Sequence, residues 1–201
     1  MNFLLKSISY IFHPLLMPIF GVIFYFLKSP RYIPTEIIQA KLLSLSILVF
    51  ILPVLIYFLL KTLGKVSTIN LQTTKERILP LILNCMVMLL VLQRIITPTE
   101  SVELYFFFVG ILLSNLTCLI LAILRFKASI HMIAVAGVFM FFIALSIHYS
   151  ININNTLAIM AIVTGAVATS RLHLKAHTSR ELVMGIFVGF IPQLILVNYW
   201  L

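Results

Sequence analysis

One histidine in this sequence has a carboxylate placed to steer it. His177 and Glu181 stand four residues apart at the start of an apolar run, so on a helix they share a face. A carboxylate there can take one imidazole N–H, fix the tautomer and leave the other ring nitrogen free as base or nucleophile. Glu181 in a first helical turn also suits the helix dipole. As a plain surface pair the two would contribute only ~0.2–0.5 kcal/mol. Upstream, Ser170 and Arg171 precede His177, with five residues between Arg171 and His177. Downstream, Gly185 and Gly189 read as a small-residue packing face.

Two further clusters open apolar runs. Lys127, Ser129 and His131 lie together, with Lys127 and His131 four apart. That imidazole falls where lipid headgroups meet hydrocarbon; an ionisable residue there points to function, or to an interfacial pair that snorkels with Lys127. Lys75, Arg77 and Pro80 begin another run, where Pro80 suits a first helical turn. Two cations at a helix start oppose the dipole, a conflict that a bound anion relieves. His13, before Pro14, reads as an interfacial histidine or as one that approaches the site from the same face, and His173 as a loop residue.

The elements that carry these residues are set by composition. Of the 201 residues, 62% are hydrophobic and only 9% charged. Soluble domains carry about 25% charged residues, so the polar shell is missing and lipid is the solvent. The apolar runs repeat along the whole chain at about the 20-residue length that a bilayer-spanning helix requires. The expected fold is all-α: a polytopic transmembrane helical bundle of about seven spans (six to seven), forming a single integral membrane domain over residues 1–201. The spans fall near 8–27, 42–60, 78–96, 104–124, 131–149, 155–170 and 181–200. The first exceeds a signal-peptide core and reads as a retained span. The sixth carries Ala161, Gly165 and Ala168, small enough for close helix approach. Cys85 and Cys118 have no metal spacing and read as small apolar packers.

Seven spans divide the loops between two membrane faces. The near face, which holds the N-terminus, carries ten of the fourteen Lys and Arg and four of the five His. The far face carries Lys28, Arg31, Lys41, Arg94 and His148. A bias of Lys and Arg alone is what the positive-inside rule produces. It does not account for the histidines or for Glu181. All three clusters fall on the near face, from loops separated by pairs of spans.

The stretch Ser170–Gly189 resembles the third signature of the type 2 phosphatidic acid phosphatase and vanadium haloperoxidase superfamily. That signature reads Ser-Arg, five residues, His, three residues, Asp; here SRLHLKAHTSRE places Glu181 where the family has Asp. The second signature, Pro-Ser-Gly-His, is similar to ASIH at 128–131, which keeps Ser129 and His131. The first, Lys, six residues, Arg-Pro, has a distorted echo in KERILP at 75–80, with two spans rather than one loop before the second.

The resemblance implies a membrane lipid phosphate phosphatase of the cytoplasmic (inner) membrane, acting on a phosphomonoester or diphosphate of a lipid headgroup. His177 would form a phosphohistidine, Glu181 would orient it, and His131 would protonate the leaving alkoxide. Arg171, Lys127, Arg77 and Lys75 would hold the phosphate oxygens, with Ser129 and Ser170 adding hydrogen bonds. No metal or other cofactor is required. The chain has no Asp, and the near face offers only Glu76 and Glu181, too few oxygens for a hard cation. The implied partners are a lipid phosphate and the bilayer, with no nucleic acid; oligomeric state is not implied. Charge asymmetry makes the near face cytoplasmic, whereas many members of the family place the site outside. Two other readings stand beside the enzyme: a non-catalytic member that binds anionic lipid, and a small transporter component. A transporter calls for ionisable residues at mid-membrane depth.

Overall fold

Pro14 and Pro18 decide how the chain begins. Proline supplies no N–H and clashes with the preceding turn, so a helix running through residues 12–16 cannot keep its ladder. The computed structural model, which describes residues 2–67 and 73–201, breaks the first apolar run there. Helix α1 spans Asn2–Ile11 and α2 spans Met17–Lys28. The expected single span at 8–27 is therefore two helices. At 1.5 Å per residue, α2 reaches only about 18 Å, short of a full bilayer crossing.

Six described helices are long and apolar enough to cross a membrane: α3 (Thr35–Thr62), α4 (Thr74–Arg94), α5 (Val102–Ile123), α6 (Ile130–His148), α7 (Asn154–His173) and α8 (Ser179–Val197). The described residues contain no strand. The protein is an all-α multi-pass membrane bundle, as its composition requires. The centre of the loop read at 61–77 lies outside the described residues.

Local sequence explains the irregularities. Pro53 cannot donate to the carbonyl of Val49, and α3 widens into a π-helical turn over Ser46–Ile51 just before it. Leu52 N–H then reaches back to Ile47 O. Thr73 caps α4 by accepting Glu76 N–H at 3.3 Å. That start puts Pro80 in the second turn of α4 rather than the first, so it lies inside the helix. Helices α5 and α7 end on left-handed residues, Arg125 (φ 63°) and Lys175 (φ 51°). Each costs roughly 1–2 kcal/mol. Each reverses the chain, so that Lys127 and His177 return towards the bundle.

Helix α6 is the most buried span and α3 the least. Against α6 pack α8, α7, α2 and α5. The closest approach is α6 to α8. A Cβ on Gly185 would lie 2.8 Å from Ser129 O, and one on Gly189 would collide with the Ile133 carbonyl. The glycine face is thus used for packing. Gly165 is not: nothing lies within 4 Å of where its Cβ would be. Deeper in the bundle Phe107 stacks on Phe141 at 4.2 Å and Phe24 on Phe142 at 3.9 Å.

Candidate active site

The α6–α8 contact brings the two signature histidines to one end of the bundle. Ser129 N–H donates to Glu181 O at 3.1 Å, joining the starts of α6 and α8 directly. Thr178 and Glu181 form a capping box: Thr178 Oγ1 accepts Glu181 N–H, and Glu181 Oε2 accepts Thr178 N–H at 2.9 Å. The same Oε2 accepts from His177 Nδ1 at 2.9 Å. A carboxylate only accepts, so Nδ1 carries the proton and Nε2 keeps its lone pair. His177 lies in the loop before α8, only 9% exposed. Burial, then the charge of Arg77, pushes its pKa down to about 4 against the opposing pull of Glu181. The ring is neutral near neutral pH, the form in which an imidazole can act as a nucleophile.

Two cations act on this imidazole, and a third, Arg171, acts on His131. Arg77, from the first turn of α4, is buried and donates from Nη1 to Ala128 O at 2.8 Å. Lys127 Nζ donates to Ala176 O at 3.2 Å, tying the α5–α6 loop to the α7–α8 loop. Partial burial and the neighbouring Arg77 charge hold its pKa below the usual lysine value. Arg171, on the last turn of α7, is 8% exposed. The charges of Arg77 and Lys127 act on His177, and that of Arg171 acts on His131. Glu181 is the carboxylate that acts on Arg77 and Lys127. Its Oε2 is already shared between His177 and Thr178.

Two buried polar atoms here have no partner among the described residues: Ser129 Oγ and Arg171 Nε. Ser129 is the N-cap residue of α6, where a serine normally accepts a backbone N–H of the first turn. Its hydroxyl does not do so. The site therefore combines an unspent hydroxyl at a helix N-terminus, an unspent guanidinium N–H and an excess of positive charge. Those are the parts of an oxyanion site.

The remaining expected residues fall differently. Lys75 is exposed and, two residues from Arg77, points to the other side of α4. Ser170 is buried, but its hydroxyl donates to Leu5 O at 2.6 Å and lies 2.7 Å from Ser9 Oγ, so it holds α1. His13 meets the His131 ring edge-on at 5.6 Å. His131 Nε2 lies 3.3 Å from Ser9 O. A carbonyl only accepts, so Nε2 carries the proton and Nδ1 is the basic nitrogen.

Ser9 went unnoticed in the sequence. Its signal was its spacing, one helical turn before His13 in an apolar run. A second cluster was missed at the far end. Glu103 is fully buried and binds Arg31 (2.7 Å), Tyr149 OH (2.9 Å), Tyr25 OH (3.2 Å) and His148 (3.2 Å). It is a satisfied network that joins α2, α5 and α6. A third is a cavity of about 90 Å³ whose lining includes Asn84, Ser114, Asn115 and Gln193.

Compared with known proteins, the chain matches no family model, no curated protein and no solved structure.

Proposed function

We propose that the protein is a membrane lipid phosphate phosphatase that works through a phosphohistidine at His177. One contrast carries the reading. At the far end Arg31 is matched by a buried carboxylate, whereas at the near end the charges of Arg77 and Lys127 bear on a buried imidazole whose carboxylate, Glu181, is already engaged by His177 and Thr178, and Arg171 Nε is left over. With Ser129 Oγ and Arg171 Nε unspent, a phosphate is the group that completes the arrangement.

The chemistry follows from the tautomers. His177 Nε2 attacks phosphorus; an N–P bond forms and the P–O bond to the leaving oxygen breaks. Glu181 takes up the positive charge of the imidazolium through Nδ1–H. Arg77, Lys127, Arg171, Ser129 Oγ and the α6 N-terminus hold the equatorial oxygens, where transition-state charge collects. His131 Nδ1 takes a proton from the phosphate monoanion as it binds and gives it to the leaving alkoxide. It then takes one from the water that cleaves the N–P bond.

A groove supports a lipid as the substrate. Val138 and Phe142 follow His131 by seven and eleven residues on one face of α6, about 10 and 16 Å along its axis. They line a groove of about 240 Å³ with Phe12, Met17, Phe20, Phe24 and Leu27, open to the bilayer. A headgroup held beside His131, at the head of that α6 face, would leave its hydrocarbon chain free to lie in the groove.

A second reading, anionic-lipid binding without turnover, is favoured by the departure of ASIH at 128–131 from Pro-Ser-Gly-His. Phosphate release from a panel of lipid phosphates in EDTA separates the two. Wild type is expected to turn over at least one, and His177→Ala to lose at least about three orders of magnitude in kcat. Turnover that survives in His177→Ala rejects the nucleophile; binding without release by wild type rejects the enzyme.

A further inference from the structure

Helix α1 ends because of Pro14, and its end is not idle. The helical ladder runs as far as Phe12 N–H to Ile8 O at 3.0 Å. The last carbonyls of a helix have no partner within it. Ser9 O is one of them, and it faces His131 Nε2 at 3.3 Å.

The hydroxyl of the same residue serves the other side of the site. Ser170 Oγ has one proton, which goes to Leu5 O at 2.6 Å. The Ser9 hydroxyl therefore donates to Ser170 Oγ at 2.7 Å. Its lone pairs remain for Arg171 Nη1, a long contact at 3.5 Å. A guanidinium is a rigid fork, so fixing Nη1 fixes where Nε points. Nε is the buried donor left without a partner. A neighbouring edge closes the arrangement: His13 Nδ1 accepts Leu15 N–H at 3.3 Å within the break, and its ring packs on His131.

We propose that Ser9 is a positioning residue of the phosphate site, its hydroxyl aiming Arg171 and its carbonyl aiming His131, so that α1 and the break at Pro14 complete the site. The inference rests on the phosphatase reading for its turnover arm and on the oxyanion site alone for its binding arm. The positioning is local: Ser9 touches no reacting atom, and it acts through the two residues that do.

The test uses the full chain in detergent micelles, with Ser9→Ala, Ser9→Thr and Ser170→Ala. Inorganic phosphate is the probe for binding, and the best lipid phosphate of the panel is the probe for turnover. Ser9→Ala is expected to weaken phosphate affinity about fivefold or more and to lower kcat/KM by at least about tenfold, as the loss of one supporting partner does. Ser9→Thr, which keeps the hydroxyl, restores most of both. Ser170→Ala, which unties α1 without altering Ser9, moves both in the same direction, and it stands in if Ser9→Ala does not fold. Phosphate affinity and kcat/KM within twofold of wild type in Ser9→Ala overturn the inference; so does equal damage in Ser9→Thr. If wild type turns over no lipid phosphate, the phosphatase reading falls. Phosphate affinity then decides the inference by itself, supporting it if Ser9→Ala weakens binding and overturning it if not.

Discussion

Oε2 of Glu181 serves two donors at once, Thr178 N–H and His177 Nδ1, each at 2.9 Å. One is a structural duty and the other a chemical one, and a glutamine separates them. Its amide oxygen can accept both bonds, so the capping box survives, worth about 1 kcal/mol. The negative charge that supports the imidazolium is lost. Glu181→Gln is expected to lower kcat by about 10²-fold with little change in melting temperature. The pH profile gives a second check. His177 sits near pKa 4, pushed down chiefly by burial and pulled up by Glu181. A depressed folded value means that the neutral nucleophile persists as pH falls from neutral and is lost only through about pH 4. Taking away Glu181 removes an upward pull, so the acid limb of kcat/KM moves to lower pH in the variant. An acid limb near pH 6.5 in wild type, or a shift upward in Glu181→Gln, contradicts this environment. This pair was readable from four-residue spacing alone. The capping box was equally readable, as Thr178-x-x-Glu181, but it names a helix start rather than a chemistry.

Among the elements, α6 and α8 decide whether the residues meet. Gly189 has the Ile133 carbonyl where its Cβ would stand, and Gly185 has Ser129 O at 2.8 Å. Backbone does not yield as a flexible side chain does. Gly189→Val is expected to force the helices apart, destabilise the fold by about 1–3 kcal/mol and uncouple His131 from His177, with loss of phosphate release. Gly165→Ala, with nothing near its Cβ, is expected to be neutral or to stabilise by about 0.5–1 kcal/mol. Thermal unfolding of the two variants compares them directly, and equal behaviour would remove the packing argument. The sequence distinguished these glycines only in part. Gly185 and Gly189 read correctly as a packing face, but Gly165 with Ala161 and Ala168 had the same small-residue pattern and faces open space. Spacing tells which residues share a helix face; it does not tell what that face meets. Span number was legible because bilayer thickness sets the length of an apolar run. The break at Pro14 was not, because Phe12–Leu16 remains apolar enough to pass as one span. Single polar residues such as Asn84 and Asn115 vanish into a hydropathy average for the same reason. Ser9 escaped, and Ser170 was read for phosphate rather than for α1, because their partnership joins residues 161 positions apart.

At the scale of the whole molecule, the two ends of the bundle treat charge in opposite ways, and the space between them tells what kind of phosphate fits. Glu103 ties α2, α5 and α6 together at the far end with every oxygen engaged. That fixes α2 at its C-terminal end, while its N-terminal end hangs from the break beside His131. One wall of the groove is therefore a helix anchored at both ends, and the floor is the face of α6 beneath His131. Ile23 lines that wall and is still 38% exposed, so a larger side chain there can enter the groove without overpacking the core. If the groove holds the hydrocarbon of the substrate, Ile23→Trp competes with the chain and leaves the phosphate site alone. The expected result is a loss of about tenfold in kcat/KM on a long-chain lipid phosphate, the scale of losing a few well-packed methylenes. A water-soluble, short-chain phosphate ester should remain within twofold of its wild-type value. Equal losses on both substrates would mean that the tryptophan disturbs the site itself. No loss on either would mean that the chain lies elsewhere in the bilayer, with only the headgroup recognised.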